Sequence, residues 1–320
     1  MITVEHLSKR YGTHPAVNDV SFTCEPGTVT GFLGPNGAGK STTMRMIVGL
    51  DRPTSGRAWV DGHPYAELAA PLRSVGAMLD SRAIHPGRTA RAHLRSIADT
   101  HRIGRTRVDE VLELTGLTSV AGRRAGTFSL GMSQRLGIAA ALLGDPENIL
   151  LDEPVNGLDP EGVIWIRSLA RRMAAEGRVV LVSSHLMSEV AQTADHLVVL
   201  GAGRVLADGP LHEVIGATGG ATVRIGSAEL ERLVEPLAAA GAVITASAPH
   251  RADLTGLDAQ RVAAIAAQQG VVLSELTTQE RSLEDAYFAL TAASTEYRSA
   301  LVPSGTAPVP DHIPVQTQEH

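Results

Sequence analysis

The sequence predicts an α/β protein, built on a mostly parallel sheet with helices on its faces and followed by a smaller α+β module. Three observations predict it. The run Val29-Thr30-Gly31-Phe32-Leu33, rich in β-branched and aromatic types, stops at Gly34 and gives way to a helix-like stretch from Ser41 to Leu50. From Asn148 onward strand and helix patterns alternate, the order that builds a parallel sheet with helices on its faces. Beyond the cluster Gly216-Ala217-Thr218-Gly219-Gly220 the order changes to β-α-β-β-α-β.

Element by element, residues 1 to about 34 read as strands, through Val4, Val17, Val20 and Phe22, broken by Tyr11-Gly12 and Pro26-Gly27. Met44, Ile47 and Val48 share one face of the following helix, and Arg57 to Asp61 reads as a strand. From about 86 to 145 the pattern is helical. Leu94, Ile97 and Ala98 share a face, as do Val108, Val111 and Leu112, and Ser133 to Leu143 forms a further helix. Asn148 to Asp152 is a buried strand, Glu161 to Glu176 a helix, Val179 to Ser183 a strand and Ser188 to Ala194 a helix. His196–Leu200 and Arg204–Asp208 read as a hairpin. In the second module, strands are expected at Thr222–Ile225, Val243–Ala246, Ala252–Leu254 and Val271–Leu276. Helices carry Leu230, Leu233, Val234 and Leu237, then Val262, Ile265 and Ala266; this is the ferredoxin-like order. A last helix places Leu283, Ala286, Tyr287 and Leu290 on one face. The expected division is 1–215, 221–292 and a tail 293–320, whose Pro303, Pro308, Pro310 and Pro314 have little to bury and are expected to be disordered.

Composition narrows the function. A net charge of -6 argues against a nucleic-acid partner. The single cysteine, Cys24, excludes an internal disulfide and fits a reducing compartment. No apolar run approaches the roughly 18 residues of a membrane span, and Met1 to His6 lacks the pattern of a secretory signal, so a soluble chain is expected. Lysine is rare: of 28 basic residues only Lys9 and Lys40 are lysines, and Lys40 lies inside a glycine loop.

That loop, Gly34-Pro35-Asn36-Gly37-Ala38-Gly39-Lys40-Ser41, fits G-x-x-x-x-G-K-[ST] at every fixed position. Its glycines let backbone N–H groups turn inward around phosphate oxygens, and the helix that follows adds its positive end. Lys40 supplies a compact charge to the β- and γ-phosphates of ATP, and the Ser41 hydroxyl a ligand to Mg²⁺. An arginine there would be bulkier and differently shaped, a physical reason for lysine in an arginine-biased chain. About 110 residues later, Asn148 to Glu153 is an apolar strand ending in two carboxylates. Asp152 is expected to face the Mg²⁺ and Glu153 to accept a proton from the attacking water.

With these motifs in order, residues 1 to about 215 resemble the nucleotide-binding subunit of an ATP-binding cassette (ABC) transporter. The resemblance implies a mixed sheet with an antiparallel β subdomain and a helical subdomain near 86–145. It makes Tyr11 the aromatic that stacks on adenine, and Gly34 to Ser41, with Thr42, the phosphate-binding Walker A segment. Ile149 to Glu153 becomes the Walker B strand. Phe128-Ser129-Leu130-Gly131-Met132-Ser133-Gln134-Arg135 resembles the signature motif LSGGQxQR, Asn156-Gly157-Leu158-Asp159 the D-loop, and His185 in Ser183-Ser184-His185 the switch histidine. Ser129 and Gly131 open a helix that in this family receives the γ-phosphate held by a second subunit. The resemblance therefore implies two copies joined head to tail by ATP, and His185 holding the water with Glu153.

Two departures stand out. Met78-Leu79-Asp80-Ser81 offers Asp80 where the family has a Q-loop glutamine, and Asp80 is assigned to the Mg²⁺ shell. The signature has Leu130 and Met132 where Gly and Gln are usual. The stretch His85 to Arg91 and the ending Ser282-Leu283-Glu284-Asp285-Ala286 resemble export-type subunits encoded apart from their permease, including drug and antibiotic exporters. The implied partners are an integral membrane permease and a second copy of the chain, at the cytoplasmic face of the membrane. The rival is a soluble ABC ATPase acting on a macromolecule. A metabolite kinase would leave the signature, D-loop and switch histidine unexplained.

Overall fold

The computed structural model describes residues 1–80, 83–217, 222–279 and 282–291, so the proline-rich tail expected to be disordered lies outside the described residues. The chain begins with two long antiparallel strands, β1 (Ile2–Tyr11) and β2 (His14–Cys24), and then β3 (Val29–Leu33), every residue of which is buried. Helix α1 (Lys40–Ile47), β4 (Ser55–Val60), the short α2 (Pro71–Ser74) and β5 (Val75–Met78) follow. Three helices come next, α3 (Ala90–Thr100), α4 (Arg105–Leu114) and α5 (Leu130–Ala141). The chain then alternates through β6 (Asn148–Asp152), α6 (Pro160–Ala175), β7 (Val179–Ser184), α7 (Met187–Thr193), β8 (His196–Gly201), β9 (Arg204–Pro210) and α8 (Leu211–Ala217). The remainder is β10 (Thr222–Gly226), α9 (Glu231–Ala239), β11 (Val243–Ala248), β12 (Arg251–Thr255), α10 (Ala259–Gln268), β13 (Glu275–Gln279) and α11 (Leu283–Thr291).

The strands form three sheets. The central one has six strands in the order β5-β6-β7-β3-β8-β9, parallel except for the antiparallel β8–β9 hairpin. Strands buried on both faces need no polar alternation, which is why Val29–Leu33, Asn148–Asp152 and Val179–Ser184 read as nearly unbroken apolar runs. A three-stranded antiparallel sheet, β2-β1-β4, lies against α1. Its Ile2, Val4, Leu7, Val17, Val20 and Phe22 share one core with Met44, Ile47 and Val48. The third sheet, β11-β12-β10-β13, is antiparallel throughout, the ferredoxin-like strand order; α9 and α10 pack on it through Leu233, Leu237, Val262 and Ile265.

Helices α3, α4 and α5 bury Leu94, Ala98, Val108, Val111, Leu112, Leu136 and Ile138 together, and this core continues to Ile149, Leu151 and Val180 of the central sheet. α5 therefore rests on the sheet, which fixes the start of that helix relative to the strand ends. Cys24 is fully buried, and desolvation pushes its thiol up to about 12, leaving it unreactive at neutral pH. Among the described residues no helix is long and apolar enough to cross a membrane.

Several elements differ from expectation. Strand β13 runs over Glu275–Gln279, not Val271–Leu276. The two valines that suggested a strand divide instead: Val271 is buried just past the turn at Gly270, and Val272 is 82% exposed. Pairing with β10, Gly226 opposite Glu275 and Thr222 opposite Gln279, chose the more polar stretch. On α9, Val234 lies outside the buried stripe of Leu233 and Leu237. The sequence pattern did not single out α2, β5 or α8. Helix α11 buries Leu283, Ala286 and Tyr287, with Leu283 and Tyr287 packed beside Leu33, Val190, Leu197, Val199 and Val214 of the central sheet and its helices.

Candidate active site

In the central sheet the C-terminal ends of three strands lie in register, Leu33 beside Ser184 and Asp152 beside Ser183. Ligands bind at this edge of open parallel sheets, because the loops and helix N-termini converge there. From β3 the chain enters the loop Gly34–Gly39 and then α1. Gly39 has φ of 101°, and a Cβ there would stand 2.6 Å from the Ala16 carbonyl oxygen, so only glycine lets the loop lie against β2. Gly37 also lies in the left-handed region, while Ala38 is buried and donates its N–H to Pro35 O at 3.1 Å. Asn36 and Ser41 are exposed at the surface of this turn.

Lys40 is only 6% exposed. Its ammonium donates to Gly34 O at 2.7 Å and to Pro35 O at 3.3 Å, and lies 3.4 Å from Glu153 Oε1. Glu153 stands just beyond β6, with a left-handed backbone (φ 49°) that a non-glycine residue adopts only when its neighbours impose it. Those neighbours are identifiable. Glu153 N–H donates to Ser183 Oγ at 2.9 Å, and Gln134 Nε2 donates to Glu153 O at 3.2 Å and to Asn156 O at 3.2 Å. The Ser183 hydroxyl in turn donates to Asp152 Oδ1. On its other oxygen, Oε2, Glu153 meets His185 Nδ1 at 2.8 Å. One carboxylate thus bridges the loop lysine and the histidine beyond β7.

The remaining sequence candidates fall around this pair. Ser41 follows Lys40 in the first turn of α1, and Asp152 ends β6 just before Glu153, its carboxylate accepting from Ser183. Asp80 lies two residues beyond Met78, which pairs with Leu151, so it leaves the sheet at the same edge as Asp152. Tyr11 sits at the end of the β1–β2 hairpin, half exposed, with its hydroxyl 3.2 Å from Asp51 Oδ2 and Lys9 Nζ 5.1 Å from its ring centroid. Its phenol is raised above the ordinary value by burial and then by the Asp51 charge, opposed by Arg45 and by a hydrogen bond with Thr42 of α1. Asp51 itself is held below the usual carboxylate range by its hydrogen bond with Arg45. Tyr11 and Thr42 therefore belong to one cluster.

Ser129 and Gly131 form contacts elsewhere. Ser129 caps α5, its Oγ accepting from Met132 N at 3.2 Å, and a Cβ on Gly131 would lie 3.4 Å from both Gly157 O and Leu158 Cδ2. Asp159 caps α6, accepting from Gly162 N at 2.8 Å. The unusual Leu130 leans over Gly157: a Cβ at 157 would stand 2.1 Å from Leu130 Cδ2. Leucine in place of glycine fills the space that Gly157 leaves open. Gln134 lies within the signature stretch and Ser183 beside the switch histidine, and the sequence alone gives neither a role of its own. Their signal was a polar residue at a buried position, and burial is not legible residue by residue in the sequence.

A glycine loop cradling a lysine, with a carboxylate and a histidine converging on it at the C-terminal edge of a parallel sheet, defines a P-loop ATPase. Comparison with known proteins narrows the class. The sequence matches the ABC transporter family over residues 17–156, and a domain of unknown function (DUF8746) over residues 221–284. It is 40% identical over 215 residues to the bacitracin transport ATP-binding protein of Bacillus licheniformis, spanning 66% of this chain and 70% of that one. With a daunorubicin resistance ATP-binding protein of Streptomyces coeruleorubidus it shares 37% identity over 224 residues, 68% and 71% of the two chains. Among solved structures, an ATP-binding subunit of an ABC transporter matches with a TM-score of 0.62 and 28% identity, covering 67% of this chain and 91% of the other. A dimeric ABC cassette in a post-hydrolysis state bound to ADP and Pi matches with a TM-score of 0.60 and 25% identity, over 66% of this chain and 99% of that one. The chain belongs to the ATP-binding subunits of ABC transporters, and it is an ATPase.

Proposed function

We propose that this subunit powers export of drugs, antibiotics or other hydrophobic small molecules through a separate membrane permease. Two copies close head to tail on ATP at the cytoplasmic face of the membrane. One observation carries the catalytic reading: the Glu153 carboxylate lies between Lys40, at 3.4 Å, and His185, at 2.8 Å. Lys40 and the N–H groups of residues 36–42 hold the phosphates, with Tyr11 against the adenine. Glu153 takes a proton from the attacking water as its oxygen bonds to the γ-phosphorus. The bond to the bridging oxygen breaks, and its electron pair leaves with ADP. His185 keeps the carboxylate and water aligned. Ser129 and Gly131 of the second copy complete the site opposite the loop, and Asp159 acts at the same interface. The names of the bacitracin and daunorubicin relatives support the export reading.

Mg²⁺ suits the donors present, the Ser41 hydroxyl and the Asp152 and Asp80 carboxylates, which are hard oxygen ligands at one edge of the sheet. Bound there, the ion would neutralise phosphate charge. Asp80 has a shorter reach than the family's glutamine. The division into an ATP-binding unit over 1–215 and an accessory unit over 221–292 is part of the same proposal.

Glu153→Gln tests it. The variant should bind ATP, dimerise on it and lose nearly all hydrolysis; turnover at the wild-type rate sinks the assignment of the base. Recovery of the full chain with an integral membrane protein supports the transporter, whereas recovery with ribosomes or DNA rejects it.

A further inference from the structure

The two loops that carry the chemistry continue into helices that touch each other. The Asn156–Asp159 loop leads into α6 through the Asp159 cap, and His185 leads into α7 two residues later. From mid-α6, Arg167 reaches across to α7. Its Nη2 donates to Glu189 Oε2 at 2.9 Å and its Nη1 to Gln192 Oε1 at 2.6 Å. Glu189 and Gln192 are three residues apart and so share one helix face. Arg167 and Glu189 are each 24% exposed, which shields the pair from much of the screening that weakens surface ion pairs.

Packing beneath this clasp is incomplete. An apolar cavity of about 20 Å³ lies between the helices and the sheet, lined by Val29, Gly31, Val155, Ile166, Val182 and Val190 among others. α7 meets the sheet closely at Gly31, where a Cβ would stand 2.6 Å from Val190 Cγ1, so the space left lies toward α6, where Arg167 reaches across. The turn ahead of α7 is stiff, because Leu186 N–H donates to Ser184 Oγ at 2.9 Å, so a shift of α7 carries the histidine with it. The links close a ring: Glu153, the loop 156–159, α6, Arg167, Glu189, α7, and His185 back to Glu153.

We propose that Arg167 is a positioning residue for His185, clasping α7 to α6 so that the imidazole stays aligned with Glu153 Oε2. The proposal rests on the catalytic reading of Glu153 and His185. Through α6 it also ties the histidine to the loop 156–159, so that movement of that loop is felt at the ring.

Steady-state ATP hydrolysis by the full chain tests it, with Arg167→Met, His185→Ala and the double variant. Arg167→Met should lower kcat about fivefold while KM for ATP holds, the scale of a coupling residue that touches no ligand. In the His185→Ala background the same change should have no further effect, because no ring remains to be misplaced. The exchanged pair Arg167→Glu with Glu189→Arg should recover kcat. If Arg167→Met fails to fold, Glu189→Gln, which preserves shape and removes the charge, enters the same cycle. An unchanged kcat, or a loss carried in full into the His185→Ala background, overturns the inference. If His185→Ala itself turns over at the wild-type rate, the catalytic reading fails first and takes this one with it.

Discussion

Ser183→Ala probes the backbone of the proposed base without touching its carboxylate. The Ser183 side chain is completely buried, accepts from Glu153 N–H at 2.9 Å and donates to Asp152 Oδ1. Alanine removes both bonds and strands a buried N–H. A bond to a charged partner contributes roughly 1.5–3 kcal/mol and an orphaned buried group costs roughly 1–3 kcal/mol, so a loss of about 3 kcal/mol in folding stability is expected. The kinetic effect follows from φ of 49° at Glu153. A left-handed non-glycine residue is disfavoured by about 1–2 kcal/mol, and without Ser183 the backbone can relax and swing the carboxylate away from Lys40 and His185. Each 1.4 kcal/mol is about tenfold in rate, so kcat should fall about tenfold with KM for ATP little changed. Denaturant unfolding followed by circular dichroism gives the first quantity and a coupled ATPase assay the second. A stability change under about 0.5 kcal/mol together with an unchanged kcat would refute the view that Ser183 holds Glu153 in place.

Three further outcomes follow from the geometry. A Cβ on Gly76 would stand 2.1 Å from the Ala141 backbone oxygen, so Gly76→Ala should push α5 off β5 and cost about 2–3 kcal/mol, read as a lowered unfolding midpoint. Burial would raise the Asp145 carboxyl, but its hydrogen bond with Arg178 and the charges of Arg107 and Arg178 outweigh that and hold it below the usual carboxylate range. A depressed folded value means the contribution is complete above the unfolded carboxylate range and is lost as pH falls through the folded value. Asp145→Asn should therefore flatten the acid side of the stability profile, and an unchanged slope from pH 5 downward counts against that pairing. Tyr11→Ala should raise KM for ATP with kcat nearly unchanged, since the ring would contribute binding alone; equal effects on both constants would place Tyr11 elsewhere in the cycle.

Much of this protein was legible in the sequence because its local signals agree with its global fold. Asn148–Asp152 was read residue for residue, since a fully buried parallel strand is an unbroken apolar run. The loop Gly34–Ser41 was read from its glycines, and the sequence order of the second module forecast its strand order. The failures came where pairing outweighs composition. Val271-Val272 looked like a strand, but backbone pairing with β10 fell to Glu275–Gln279.

The sequence by itself determined the lysine loop, the acidic end of β6 and the order of the motifs, because each depends on residue type at short spacing. Only the tertiary structure decided which side chains meet. Asp152 and Ser183, 31 positions apart, become neighbours through strand register. Gln134 and Ser183 together hold Glu153 in a backbone conformation its own residue type disfavours. Arg167 clasps a helix whose side chains lie more than 20 positions away. Such contacts depend on how helices seat on the sheet, and that seating is set by long-range packing that no local pattern records.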